Sequence, residues 1–76
     1  MRIADADFNG LGYKKKNQIS GFIKGERPIR KEQVLVKDDE GNSMIGRVVS
    51  VWPGETEKYG WLTDIEVDRD SWKSGS

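Results

Sequence analysis

The stretch from Gln33 to Trp52 constrains this chain more than any other. It runs Gln33-Val34-Leu35-Val36-Lys37, then Asp38-Asp39-Glu40-Gly41-Asn42, then Ser43-Met44-Ile45-Gly46-Arg47-Val48-Val49-Ser50-Val51-Trp52. Two β-branched runs flank a turn of Asp, Glu, Gly and Asn, which is the pattern of a β-hairpin. Gly41 suits the left-handed position that such turns require. No other part of the chain carries a helix-length amphipathic stripe, so the hairpin sets the class as all-β.

Further strands follow from the same alternation. Asn17–Lys24 places Ile19, Gly21 and Ile23 on one face and Phe22 on the other. From Trp61 to Asp68 the alternation is clearest: Trp61, Thr63, Ile65 and Val67 point one way, and Leu62, Asp64, Glu66 and Asp68 the other. Between these elements, Gly25-Glu26-Arg27-Pro28 reads as a connection, because proline removes a ladder donor and biases Arg27 to an extended conformation. Pro53–Gly60 reads as a solvated loop, and Arg69–Lys73 as a final turn tucking Trp72 against the body. Residues 1–16 are ambiguous, with the glycines of Phe8-Asn9-Gly10-Leu11-Gly12-Tyr13 marking a loop.

Four to five short strands within 76 residues predict a small, strongly bent, mainly antiparallel sheet, or an SH3-like partly closed barrel. The likeness is one of architecture. A single domain over residues 1–73 is expected, with residues 1–16 as a loosely ordered arm and 74–76 as a tail. A chain this short buries only about 60% of the surface its unfolded form exposes, so its core is thin.

Composition then removes whole classes of chemistry. The chain has no cysteine and no histidine, so disulfides, thiolate nucleophiles, histidine-based triads and the usual zinc or copper sites are closed to it. No cofactor, metal site or small-molecule substrate is expected. Carboxylate chemistry is what remains. Asp64, Glu66 and Asp68 would stand roughly 6.8 Å apart along one strand face. That spacing fits an inverting glycosidase pair, at about 6.5–9.5 Å, better than a retaining pair at about 5–5.5 Å. A chain with so little bulk to form a sugar cleft makes a solvated outer face the simpler account, and the protein is read as a non-enzyme. Asp38–Asn42 has calcium-type residues, but its glycine comes too early and no helices flank it, so a plain turn is expected.

Charge is distributed unevenly. The formal net charge is zero, yet residues 1–37 carry nine basic groups against four acidic ones, and residues 38–76 carry four against nine. Such asymmetry points to an interaction role, to the extent that interleaved strands leave it as poles in space. Two binding surfaces follow. Leu35, Val48, Trp52 and Leu62 fall on the strand faces opposite the core set, unless a bulge at Gly46 shifts the register of Val48 and Trp52. Together they predict an exposed apolar and aromatic face, rimmed by Lys37, Arg47, Asp64 and Glu66, that binds a protein partner. The covering alternative is that Phe8, Leu11 and Tyr13 fold back over it. The second surface is basic: Lys14, Lys15, Lys16, Lys24, Arg27, Arg30 and Lys31, with Tyr13 and Phe22 among them, the mix used on single-stranded nucleic acid. A sequence pI of about 6.2 is low for a free-standing nucleic-acid binder.

The leading expectation is therefore a non-enzymatic protein-binding module. A nucleic-acid-associated module is the alternative, and an enzyme relying on carboxylates alone comes last. Self-association as a dimer is also consistent with opposite charges and an exposed strand edge. No apolar run is long enough to span a membrane, and Met1-Arg2-Ile3-Ala4-Asp5 lacks the apolar stretch of a secretory signal, so a cytoplasmic location is expected.

Overall fold

The structure is a computed structural model that describes residues 1–75. The chain forms five strands and one short 3-10 turn: β1 (Arg2–Ala6), the turn (Phe8–Gly10), β2 (Gln18–Ile23), β3 (Gln33–Lys37), β4 (Ser43–Thr56) and β5 (Gly60–Lys73). The strands close into a barrel in the order β1-β2-β5-β4-β3. Every pairing is antiparallel except β1 with β3, which runs parallel from Arg2↔Val34 to Asp5↔Lys37. That pair closes the barrel fully.

Each strand sends alternate side chains inward. Ala4, Ile19, Ile23, Val34, Val36, Met44, Val48, Ile65 and Val67 form one buried core. Burying them supplies the main drive to fold, at about 25 cal/mol per Å² of apolar surface removed from water. Thr63 and Ser43 are the buried polar residues among those described, and the Thr63 hydroxyl donates to the carbonyl oxygen of Gly21 at 2.8 Å. A Cβ on Gly21 would stand 3.1 Å from the Asp5 carbonyl oxygen and 3.3 Å from the Ala6 side chain, so glycine lets β1 approach β2 closely here.

Four parts of the chain differ from the sequence reading. Residues 1–16 do not form a loose arm: β1 is a full stave of the barrel, and Ala4 is completely buried. The loop expected at Pro53–Gly60 is mostly strand, with a turn only at Glu57–Tyr59. Val51 pairs with Thr63 and Glu55 with Trp61, so Trp52-Pro53-Gly54 bulge out opposite the single residue Leu62. Two extra residues hide the alternation. The expected final turn is the end of β5, where Lys73 pairs with Ser43. Trp72 stays about half exposed, with its ring 5.4 Å from that of Phe8. Lastly, Val48 points into the core rather than outward. The register shifts between Val48 and Ser50, which makes Val49 the extra residue. Even-numbered residues of β4 face inward before this bulge and odd-numbered ones after it, so Val48 and Val51 both reach the interior. Of the expected tail, Gly75 donates its N–H to the Asn42 side chain; Ser76 lies outside the described residues.

The connection between β2 and β3 is tied down by one ion pair. Arg2 meets Glu32 side on, Nε to Oε2 at 2.9 Å and Nη2 to Oε1 at 2.8 Å. Its remaining nitrogen donates to the carbonyl of Glu26 at 2.6 Å. The hydrogen bond from Arg2 holds the Glu32 carboxyl below its ordinary value of 4.5, outweighing the upward push of partial burial. A carboxylate with a lowered folded pKa adds stability above its unfolded pKa, and that stability is lost as pH falls through the folded value. Glu32→Gln is therefore expected to cost about 1 kcal/mol at pH 7 in urea unfolding. The difference from wild type should shrink as pH falls below 4.5 and through the lowered folded value. A constant difference across that range would show that the pair contributes no linked stability.

Candidate functional site

The outer surface of β2, β5 and β4 is organised in rows set by strand register. In the first row, Glu66 pairs with Gln18 on one side and Arg47 on the other. The second row is polar: Asp64 accepts from the Ser20 hydroxyl at 2.9 Å and from the Ser50 hydroxyl at 3.0 Å. The third is apolar. Phe22 pairs with Leu62, and the bulge puts Trp52 opposite Leu62 on its other side. The hairpin turn then lays Tyr59 against Phe22, with ring centroids 5.4 Å apart. Trp52 is 44% exposed and Tyr59 51%. Phe22 and Leu62 are half-buried, so the apolar surface this row presents to solvent comes mainly from the two aromatic rings of Trp52 and Tyr59.

Cations attend this row. The Lys14 ammonium sits 5.1 Å from the Trp52 ring centroid, and that of Lys58 sits 5.3 Å from Tyr59. Arg27 lies 5.7 Å from Trp61, whose indole N–H also donates to the Gly25 carbonyl. Each such contact is worth about 0.5–1 kcal/mol at an exposed site. Among the described residues none of the three cations has a carboxylate within ion-pair distance, the pair there being Arg2 with Glu32.

β4 has an open edge beside the row. Its pairing with β3 ends at Arg47, and two further hydrogen bonds join Val48 to Lys31 and Glu32. Beyond that point β4 is hydrogen-bonded to β5 alone among the described residues. Pro53 and the surrounding bulge occupy this edge, a combination that blocks addition of another strand.

The four residues expected to form one apolar face do not share one. Trp52 and Leu62 do, joined by Phe22 and Tyr59. Val48 is in the core. Leu35 lies on β3 and belongs to a separate half-exposed stripe with its cross-strand neighbours Ile3 and Ile45. Of the three residues expected to fold back as a cover, Phe8 and Leu11 pack partly against the core, and Tyr13 is 90% exposed. Phe22 was visible in the sequence as an outward residue of its strand. Tyr59 was not, because no local pattern shows that a hairpin tip curls back over β2.

The basic residues divide between two loops. Lys14, Lys15 and Lys16 precede β2, whereas Lys24, Arg27, Arg30 and Lys31 follow it. Six strand residues separate them, roughly 20 Å at about 3.4 Å per residue. Arg69 anchors the first loop by donating to the Lys16 carbonyl and to Asn17. In the second, Lys31 takes a φ of 74° with its N–H bonded to the Val48 carbonyl at 2.7 Å. They make two basic ends rather than one patch.

The acidic candidates are engaged locally. Asp64 borders a shallow hollow of about 260 Å³ with Tyr13, Lys14 and Gln18, but both its oxygens already accept serine hydroxyls. Asp68 accepts the N–H of Asp70. At the β3–β4 turn, Asp38 accepts from the backbone of Glu40 and from both the backbone and side chain of Asn42. Desolvation pushes its carboxyl up, but these donors outweigh it and the net shift is downward. The calcium-type residues are spent on holding the turn. Among the described residues no three acidic side chains converge as a cation ligand set. No protein-family model, curated protein or solved structure matches the chain.

Proposed function

We propose that this protein is a non-enzymatic interaction module that binds a protein partner through the outer face of β2, β5 and β4. The observation that carries this reading is the outward-facing row Phe22–Leu62–Trp52, with Tyr59 laid against its end and the Trp52 and Tyr59 rings exposed. Aromatic side chains supply large contact areas at low conformational cost and dominate the energetics of interfaces. The polar rows beside it, Ser20–Asp64–Ser50 and Gln18–Glu66–Arg47, provide a hydrogen-bonding rim of the kind that surrounds such centres. Pro53 and the bulge restrict contact to side chains, since the edge cannot accept a strand.

The test is site-specific photo-crosslinking in the cell that makes the protein. A benzophenone amino acid replacing Tyr59 is expected to trap discrete protein adducts, and the same group replacing Glu40 is not. Trp52→Ala should weaken capture at least tenfold, the range of an interfacial anchor, while leaving the thermal midpoint within a few degrees. Adducts equally abundant from Glu40, or unaffected by Trp52→Ala, would overturn the assignment.

A further inference from the structure

Resting on that reading, we infer that the occupant of this face is an acidic peptide segment, one whose carboxylates flank apolar anchor residues. Three features select it. Lys14 and Lys58 stand at the two ends of the Phe22–Leu62–Trp52 row, against Trp52 and Tyr59, and neither is neutralised by a carboxylate among the described residues. A cation held against a ring is already partly desolvated and fixed in place, so an incoming carboxylate gains an ion pair without ordering a free lysine side chain. Further positive charge follows in the Lys14 loop at Lys15 and Lys16, and the Lys24 backbone lies beside Gly60, next in the chain to Tyr59. Of the carboxylates on this face, Asp64 is held by two serine hydroxyls, and neither Glu66 nor Asp5, the cross-strand partner of Phe22, forms an ion pair with either lysine among the described residues. Both lysines are therefore available.

A single-stranded nucleic acid would share the negative charge but needs open ring faces for its bases. Here Lys14 covers one face of Trp52, Lys58 one face of Tyr59, and Phe22 packs against Tyr59. The centre of the row is Leu62, which offers no stacking surface. Aliphatic or aromatic side chains fit against it, and glutamate or aspartate on either side reaches the lysines. At an exposed site the charges contribute mainly to encounter rate and selectivity, with the apolar anchors supplying most of the affinity.

The experiment is selection of binders from a random twelve-residue peptide library displayed on its encoding nucleic acid, against the whole protein. Amide NMR then maps the selected peptides, and a fifteen-nucleotide oligothymidine is titrated in parallel. Selected peptides should carry acidic residues on both sides of an apolar one and shift the amides of Phe22, Trp52, Tyr59 and Leu62. Lys14→Glu combined with Lys58→Glu should weaken them at least tenfold, and raising salt from 50 to 500 mM should weaken them severalfold. Neutral or basic peptides bound at these same amides, or indifference to the double charge reversal, would overturn the acidic assignment and leave the protein-binding face intact. Peptides mapping elsewhere would overturn both. Oligothymidine shifting these amides at lower concentration than any peptide would replace the peptide by a nucleic acid.

Discussion

Gly60→Ala is expected to destabilise the protein by more than 3 kcal/mol and to lower its thermal midpoint by roughly 12 °C or more, at about 4–8 °C per kcal/mol for a domain of this size. Gly60 opens β5 with a φ of 88°, where a side chain costs about 1–3 kcal/mol by itself. A Cβ there would also lie 2.3 Å from the carbonyl oxygen of Ile23 and 2.9 Å from both its carbonyl carbon and the Lys24 Cα. All three are backbone atoms, so no side-chain rotation relieves the contact. Relief requires pulling β5 away from β2 where their ladder starts, at Ile23↔Trp61. The turn offers no slack either. The Thr56 hydroxyl donates to the Gly60 carbonyl at 3.0 Å and accepts the Tyr59 N–H at 3.1 Å. A 76-residue domain has roughly 4–11 kcal/mol in total, so much of the fold's stability is at stake. Gly10→Ala is the control, since nothing lies within 4 Å of its Cβ position. A Gly60→Ala protein within 1 kcal/mol of wild type in urea unfolding would refute the argument.

Ile65→Ala is expected to cost about 3–4 kcal/mol, within the 2–5 kcal/mol typical of emptying a fully buried isoleucine site. Ile65 is completely buried at the middle of β5, and two glycines make its space. Its Cδ1 lies 3.5 Å from where a Cβ on Gly21 would be, and its Cγ2 only 2.5 Å from where one on Gly46 would be. Ile65 thus fills volume that β4 leaves open by having no side chain at Gly46. Gly46→Ala alone should destabilise by about 2 kcal/mol through forced displacement of a packed core residue. In the Ile65→Ala background that obstacle is gone, leaving the Glu66 carbonyl oxygen at 3.0 Å as the nearest. The double variant should be more stable than the sum of the two losses by at least 1 kcal/mol. Additivity within 0.5 kcal/mol would mean that the two residues do not compete for the same space.

These two sites also mark where sequence reasoning succeeds and where it stops. Ile65 was legible because Trp61–Asp68 alternates without interruption, and burial of one face follows directly from a period of two. The β3–β4 hairpin was legible for the same reason, with Gly41 at φ 82° in its turn. In β4 the pattern is interrupted twice, at Val49 and at Trp52-Pro53-Gly54. The single extra residue at Val49 inverts every orientation beyond it, whereas the two extra residues of the second bulge preserve the parity. Val48 was assigned outward because the register at Val49 cannot be seen without the partner strand. β1 failed differently. Its pattern, Arg2-Ile3-Ala4-Asp5-Ala6, buries only the small Ala4 fully, too weak a signal to announce a strand.

The candidate face divides along the same line. That Phe22, Leu62 and Trp52 turn outward, and that the basic residues fall on either side of one strand, followed from local alternation and chain order. Their meeting in one row did not. It depends on β5 lying between β2 and β4, on two extra residues in β4 delivering Trp52 opposite Leu62, and on the hairpin tip bringing Tyr59 and Lys58 back to Phe22. The chain's alternation, turn residues and missing cysteine and histidine determined an all-β domain without thiol or imidazole chemistry, because those properties are local or compositional. Barrel closure, strand register and the placement of Lys14 and Lys58 on their rings were decided by tertiary structure, because each arises between residues far apart in sequence whose pairing no local pattern encodes.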